Sequence, residues 1–302
     1  MNKQSSDTDT QTVGEWIDRV ERSLAGFELF YGHGTDNPGS EAQWLVSHVC
    51  SVGIDQELTT ASPVSAEQQT RIVDLLERRT TEKIPLAYLL EEAWFAGRRF
   101  FVDERVLVPR SPIAELIDRQ FVPFLAGIPK RILDLCCGSG CIGIACALAF
   151  PESKVVLADV SAEALEVAQI NIRHFELEGR VDTVQSDLFG AIDGTFDLIV
   201  CNPPYVSNTE YQALPAEYHH EPELGLVCES EGLALPLQIL DLASFHLKES
   251  GLLILETGYT WPALEDALPR LPKIWLEFEF GGEGVCVIKA SDLQGFFHSE
   301  GP

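Results

Sequence analysis

Residues 111–302 predict an open α/β sheet, parallel across most of its width and ending in an antiparallel hairpin. It follows a small helical domain over residues 1–84 and a β-hairpin linker over 85–110. Three observations carry this reading. From residue 131 onward, short apolar runs alternate with amphipathic stretches, the pattern of successive βα units. The runs before the last pair are apolar on both faces, as a parallel sheet covered by helices requires. The last two, KIWLEFEF and GVCVIKA, are separated only by GGE, which is too short for a crossover and makes them antiparallel neighbours.

The elements follow in order. VGEWIDRVERSLAGFELF sets Trp16, Ile17, Val20, Leu24 and Phe27 at helical spacing. EAQWLVSHV and SAEQQTRIVDLLERRTTE read as two more helices, the second capped by Ser65 with Glu67 in its first turn. Aromatic and β-branched residues around AGR then suggest a hairpin. SPIAELIDRQFVPFL reads as a helix with Ser111 as N-cap and Pro112 at the first helical position. Beyond it come the strand RILDLCC, the helix GCIGIACALAF, the strand KVVLADV and a helix opening on Ser161. Two further strands, RVDTVQSD and FDLIVCN, precede a helix near 233–248, the strand GLLILET and a helix near 260–270.

Composition bounds the function. The chain has 302 residues, 45% of them hydrophobic, enough for a sizeable core. Its amino-terminal stretch MNKQSSDTDTQT lacks the apolar run of a signal peptide, and CIGIACALAF falls short of the roughly 20 residues that span a bilayer. A cytoplasmic protein is expected. The formal net charge of −26 opposes nucleic-acid binding and favours basic partners, although adaptation to a salty habitat contributes to such a charge equally well. The eight cysteines form no CxxC pair and no histidine cluster has zinc spacing, so buried thiols are expected and no metal site.

Two motifs carry chemistry. In LDLCCGSGCIG, the glycines Gly138, Gly140 and Gly143 fit G-x-G-x-x-G, and Asp159 ends the next strand. Glycines let the backbone pass close under a ligand and the acid suits ribose hydroxyls, so a nucleoside cofactor is expected at the carboxyl edge of the sheet. NAD-dependent oxidoreduction is one reading. Asp134, inside the end of the first strand, is awkward beside a pyrophosphate and better suited to a cation. The terminal hairpin is also unlike an all-parallel dinucleotide sheet. Both favour S-adenosylmethionine, whose sulfonium is positive. The second motif, DLIVCNPPY, runs a buried strand into two prolines, which end the strand and stiffen a loop presenting Asn202.

With DLCCGSG, Asp159, SDLF at 186–189, NPPY at 202–205, VPRSP at 108–112 and HEPELGL at 220–226, the chain resembles the protein glutamine N5-methyltransferases, built on the class I methyltransferase sheet. FYGHGTDNP, AYLLEEAWFAG, VPRSPIAELI and WLEFEFGGEGV make it most similar to the branch that modifies the third large-subunit ribosomal protein, a basic substrate. The release-factor branch has PRPDTE where this chain has PRSPIAE. The likeness covers nearly the whole chain. It implies that the loop Cys136, Cys137, Gly138, Ser139 and Gly140 wraps the methionine part of the cofactor, with Asp134 near its amino group. It further implies that Asp159 with Val160 meets the ribose, that Asp187 and Leu188 flank the adenine, and that Asn202, Pro203, Pro204 and Tyr205 hold the substrate amide. Cys136 and Cys137 depart from the glycine or threonine common in that loop. Amino-group methylation of nucleic-acid bases uses the same motif, but the charge argues against it.

A primary amide nitrogen is a poor nucleophile, so transfer depends on alignment and on stabilising the charge that develops there. The Asn202 side-chain oxygen and the Pro203 carbonyl are suitable acceptors for the two N–H groups. Neither is a strong base, and the proton is expected to leave to water. Glu221 is the one carboxylate near a motif worth testing as an exception, against a plainer role in a loop ion pair. Arg110 reads equally as a substrate clamp or as an ion-pair partner.

Overall fold

The computed structural model describes residues 11–51 and 60–298; the polar amino-terminal stretch lies, through residue 10, outside them. The chain divides into two compact units, Met1–Glu92 with Pro215–His220 and Ala93–Leu214 with Glu221–Pro302. The segment 85–110 is thus shared out, 85–92 belonging to the first unit and 93–110 to the second.

The first unit contains α1 (Val13–Leu24), α2 (Pro38–Val49), α3 (Ala66–Thr81) and α4 (Leu86–Leu90). Each of the three longer helices starts where a short polar side chain satisfies its first free N–H groups. Thr12 and Glu15 form a capping box on α1, Asn37 caps α2, and Ser65 forms a box with Gln68 on α3. α1 buries Val13, Trp16, Val20 and Leu24 but stops there, leaving Phe27 exposed rather than continuing the stripe. Arg79 of α3 is fully buried. Its Nε lies 2.5 Å from Glu41, Nη1 3.1 Å from Glu217, and Nη2 donates to the Phe30 carbonyl at 2.9 Å. Glu217, on the short 3₁₀ turn Ala216–His220, also accepts the Phe30 N–H at 2.9 Å.

The second unit opens with the hairpin β1 (Ala93–Phe95) and β2 (Arg98–Phe100), whose two turn residues both have positive φ, the twist a tight hairpin requires. Next comes α5 (Ile113–Asp118), much shorter than the sequence predicts, because chain direction changes before Phe121. The N-cap position of α5 falls one residue later than expected, on Pro112; the Ser111 Oγ still accepts the Ile113 N–H at 3.2 Å while its hydroxyl donates to Glu256. Alternation then follows: β3 (Arg131–Leu135), α6 (Cys141–Ala149), β4 (Lys154–Asp159), α7 (Ala162–His174), β5 (Val181–Gln185) and β6 (Phe196–Cys201). After α8 (Asn208–Ala213) and α9 (Glu223–Leu226) come α10 (Ala234–His246), β7 (Leu247–Glu256), α11 (Trp261–Ala267), β8 (Ile274–Trp275), β9 (Val285–Lys289) and α12 (Ala290–His298).

The seven strands lie in the order β5-β4-β3-β6-β7-β9-β8. β3 to β7 are parallel, and β9 runs antiparallel between β7 and β8. The expected pairing of the last two strands holds, but in KIWLEFEF it is limited to Ile274 and Trp275, with one further bond from the Leu276 N–H to the Val285 carbonyl at 3.0 Å. The chain then bends away at Gly281, Gly282 and Gly284, all with positive φ. One face of the sheet is packed by apolar residues of α5, α6 and α7, the other by those of α10, α11 and α12. No helix among the described residues is long and apolar enough to cross a membrane.

Candidate active site

The site is built where the parallel strands end. β3 and β6 are in register from Ile132↔Leu198 to Leu135↔Cys201, and β6 and β7 reach Cys201↔Leu255. The residues that follow, Cys136, Asn202 and Glu256, therefore stand side by side at the carboxyl edge of adjacent strands. This edge is where open α/β sheets present their loops to ligands.

After β3 the chain turns with Cys136 at φ 58°, Gly138 at 52° and Gly140 at 77°. A Cβ on Gly138 would meet nothing within 4 Å, so its backbone conformation, not crowding, demands glycine there. Gly143, on the first turn of α6, is the opposite case: a Cβ would lie 2.3 Å from Leu157 Cδ2 and 2.8 Å from Asp134 Cβ. That close approach lets its N–H donate to Asp134 Oδ2 at 2.7 Å. Asp134 is almost completely buried, and its other oxygen, Oδ1, has no hydrogen-bond partner among the described residues. Burial pushes this carboxyl up to about 8, opposed by the Gly143 hydrogen bond and assisted by nearby Asp159. Asp159 accepts the Gly138 N–H on Oδ2 and the Ser161 N–H on Oδ1, each at 2.9 Å, and burial raises it as well. The beginning of α7 and the glycine loop are thereby pinned to one carboxylate.

Asn171 of α7 holds the loop from beneath, a role the sequence left unmarked. Its amide nitrogen donates to the carbonyls of Ser139 at 2.9 Å and Phe101 at 3.0 Å, and its oxygen accepts the Phe101 N–H at 2.8 Å. Cys137, Cys141 and Cys146 are buried and their thiols are pushed up by desolvation, as packing groups would be. Val160 is exposed beside Asp159. At the end of β5, Asp187 is exposed, while Leu188 takes φ 45° and buries its side chain in the core.

After β6, Pro203 is buried, whereas Asn202, Pro204 and Tyr205 are partly open. The Tyr205 ring lies against Gly258, where a Cβ would come within 2.5 Å of Cε2. The stretch beyond is stitched to residues 226–228 by Val206 N–H to Leu226 O at 2.9 Å and Cys228 N–H to Val206 O at 2.8 Å. Arg110 and Glu221 come together: Nη1 and Nη2 lie 2.6 and 2.8 Å from the two carboxylate oxygens, and Glu221 also accepts the Val108 N–H at 2.9 Å. Glu221 is thereby committed as an ion-pair partner. The sequence offered no signal for Glu256, the last residue of β7, which is buried with oxygens facing Ser111 Oγ at 2.5 Å and the Tyr205 hydroxyl at 3.5 Å.

The methyltransferase small domain matches residues 119–217, and the PrmC N-terminal domain matches residues 25–90. The ribosomal protein uL3 glutamine methyltransferase of Francisella tularensis subsp. tularensis is 40% identical over 286 residues, spanning 93% of this chain and 91% of its own. Its counterpart from Bordetella pertussis is 40% identical over 291 residues, 94% of this chain and 96% of its own. Among solved structures, the hMettl16 catalytic domain in complex with MAT2A 3'UTR hairpin 6 has a TM-score of 0.54 at 13% identity. That likeness covers 81% of this chain and 92% of the other, and it is one of fold.

Proposed function

The chain belongs to the family of ribosomal protein uL3 glutamine methyltransferases, and on that premise we propose that it methylates the side-chain amide nitrogen of a glutamine in uL3 with S-adenosylmethionine, in the cytoplasm. The observation that carries this reading is the level alignment of the glycine loop, the Asn202–Tyr205 loop and Glu256 at the ends of three adjacent strands.

The residues present fit the cofactor. Oδ1 of Asp134 is buried with no hydrogen-bond partner among the described residues, which suits the ammonium of an amino-acid cofactor better than a phosphate. Cys136, Cys137, Gly138, Ser139 and Gly140 would hold the amino-acid part, Asp159 and Val160 the ribose, and Asp187 and Leu188 the adenine. The group supplies an electrophilic methyl carbon on a cationic sulfur. On the substrate side, the Asn202 side-chain oxygen and the Pro203 carbonyl accept the two N–H groups of the glutamine amide. Two prolines keep those acceptors in place, and the Tyr205 ring, backed by Gly258, covers the flat amide. Arg110 and Glu221 brace the stretch before α5 against the loop before α9. The net charge of −26 favours a basic protein over nucleic acid as the partner. The amino-terminal unit is the part we assign to recognising it.

Incubation with methyl-labelled cofactor and, separately, uL3, a peptide chain release factor, RNA or DNA tests the reading. Label is expected on a glutamine of uL3; label in nucleic acid, or in no protein, would overturn it. Asn202→Ala is expected to keep cofactor affinity while transfer falls by roughly 10²–10³, the cost of one oriented polar contact. Replacing the amino-terminal unit with that of a release-factor enzyme is expected to shift protein preference, and unchanged preference would remove recognition from that unit.

A further inference from the structure

The geometry around Glu256 differs from that around Glu221 in one chemical respect. Glu221 meets both arms of a guanidinium. Glu256, 5% exposed, meets hydroxyls: Ser111 at 2.5 Å on Oε2 and Tyr205 at 3.5 Å on Oε1, the second a long contact. An ionised carboxylate offers about four lone-pair sites, so acceptor capacity remains on the oxygen beside Tyr205. Strand alternation explains the direction. Cys201 and Leu255 both enter the core under α10 and α12, so Glu256 turns to the opposite face, where Ser111 precedes α5. The charged and titratable groups acting on it are Arg110, from the stretch before α5, and Tyr205, from the loop after β6; β9 presents apolar Val285 at the same level.

Building on the glutamine-methylation reading, we infer that the Glu256 carboxylate accepts the proton leaving the substrate amide nitrogen. The nitrogen lone pair forms the new N–C bond as the C–S bond of the sulfonium breaks and its electron pair stays on sulfur, leaving a neutral thioether. The amide nitrogen, then bearing the methyl group and a formal positive charge, gives one proton to Glu256 and becomes the neutral N-methyl amide. Glu256 returns the proton to solvent after product leaves. This replaces the expectation that water takes the proton directly and that Glu221 is the carboxylate to test. Burial raises the Glu256 carboxyl to about 7, against the opposing pull of Ser111, Arg110 and Tyr205, which suits a group that takes up and releases a proton near neutrality.

Glu256→Gln tests this with four measurements: cofactor affinity, kcat on uL3 at saturating cofactor, its pH dependence, and an infrared difference titration of the cofactor-bound protein. The variant is expected to bind cofactor as the wild type does and to lose about 10²–10⁴ in kcat. The wild-type rate should rise with pH through about 7, and that rise should vanish in the variant. The protonated-carboxyl band should titrate in the same range in the wild type only. A variant within threefold of wild-type kcat with the same pH dependence overturns the inference, as does joint loss of cofactor affinity, which makes the residue structural. A wild type that methylates no glutamine refutes the reading of the function instead. The infrared titration then still decides this residue: a carboxyl ionised throughout the range overturns its role as proton acceptor.

Discussion

Asp134 shows how one buried side chain sets a solution property. Its carboxyl is held up at about 8 in the folded chain against an ordinary value of 3.8. The folded state therefore binds a proton that the unfolded state has lost, and this group's contribution to stability declines as pH rises from about 4 towards 8. A bound ammonium beside Oδ1 favours the carboxylate and offsets the loss. Thermal stabilisation by saturating S-adenosylmethionine is expected to grow between about pH 5.5 and 7.5, below the range where an α-ammonium loses its own proton, and to lose that trend in Asp134→Asn; a flat response in the wild type would separate Asp134 from the cofactor. The two kinds of glycine in the loop separate in the same way. Gly143→Ala must push against the side chains of Leu157 and Asp134, costing about 1–3 kcal/mol by overpacking. Gly138→Ala meets open space and costs only the ~1–2 kcal/mol of a left-handed conformation. Denaturant midpoints of the two variants check the order.

At the scale of elements, the strand ends do the positioning and two polar side chains keep the loops there. Asn171 ties α7 to both the glycine loop and the stretch after the β1–β2 hairpin through three hydrogen bonds. Asn171→Leu strands buried backbone groups at Ser139 and Phe101, each worth roughly 1–3 kcal/mol. Reduced stability together with weakened cofactor binding is expected from calorimetry; loss of stability alone would detach Asn171 from the loop's function. Some elements were legible from sequence because their signals are local. Ser65 and Ser161 cap α3 and α7 as spacing indicates, since a cap needs only the next three residues. Ser111 was legible only in part for the same reason: its oxygen accepts the nearby Ile113 N–H, but its hydroxyl also donates to Glu256, distant in sequence, which no local pattern can show.

For the whole molecule, two features matter. The first unit is closed by a segment that the chain supplies from beyond the Asn202–Tyr205 loop, with Glu217 and Glu41 neutralising buried Arg79. Burial would raise Glu217, but hydrogen bonds from the Phe30 N–H, its own N–H and Arg79 hold it below its ordinary value. Its contribution is therefore present above pH 4.5 and is lost as pH falls through the depressed value. Arg79→Leu leaves the two carboxylates buried and unpaired, an expected cost of roughly 3–5 kcal/mol seen in denaturant unfolding. The second feature is charge. If the field of −26 steers a basic protein, KM for uL3 should rise with ionic strength while kcat changes little; a KM indifferent to salt would assign the charge to habitat.

The sequence by itself determined the α/β alternation, the antiparallel end of the sheet, the glycine loop with its acid, and the family, because hydrophobic period, turn residues and short motifs are written along the chain. Only the tertiary structure decided which carboxylate forms the two-armed ion pair with Arg110 and which is held chiefly by hydroxyls. Glu221 and Glu256 look alike in one dimension. Strand register and burial, which depend on residues far apart in the chain, set the first against Arg110 and leave the second against two hydroxyls beside Asn202.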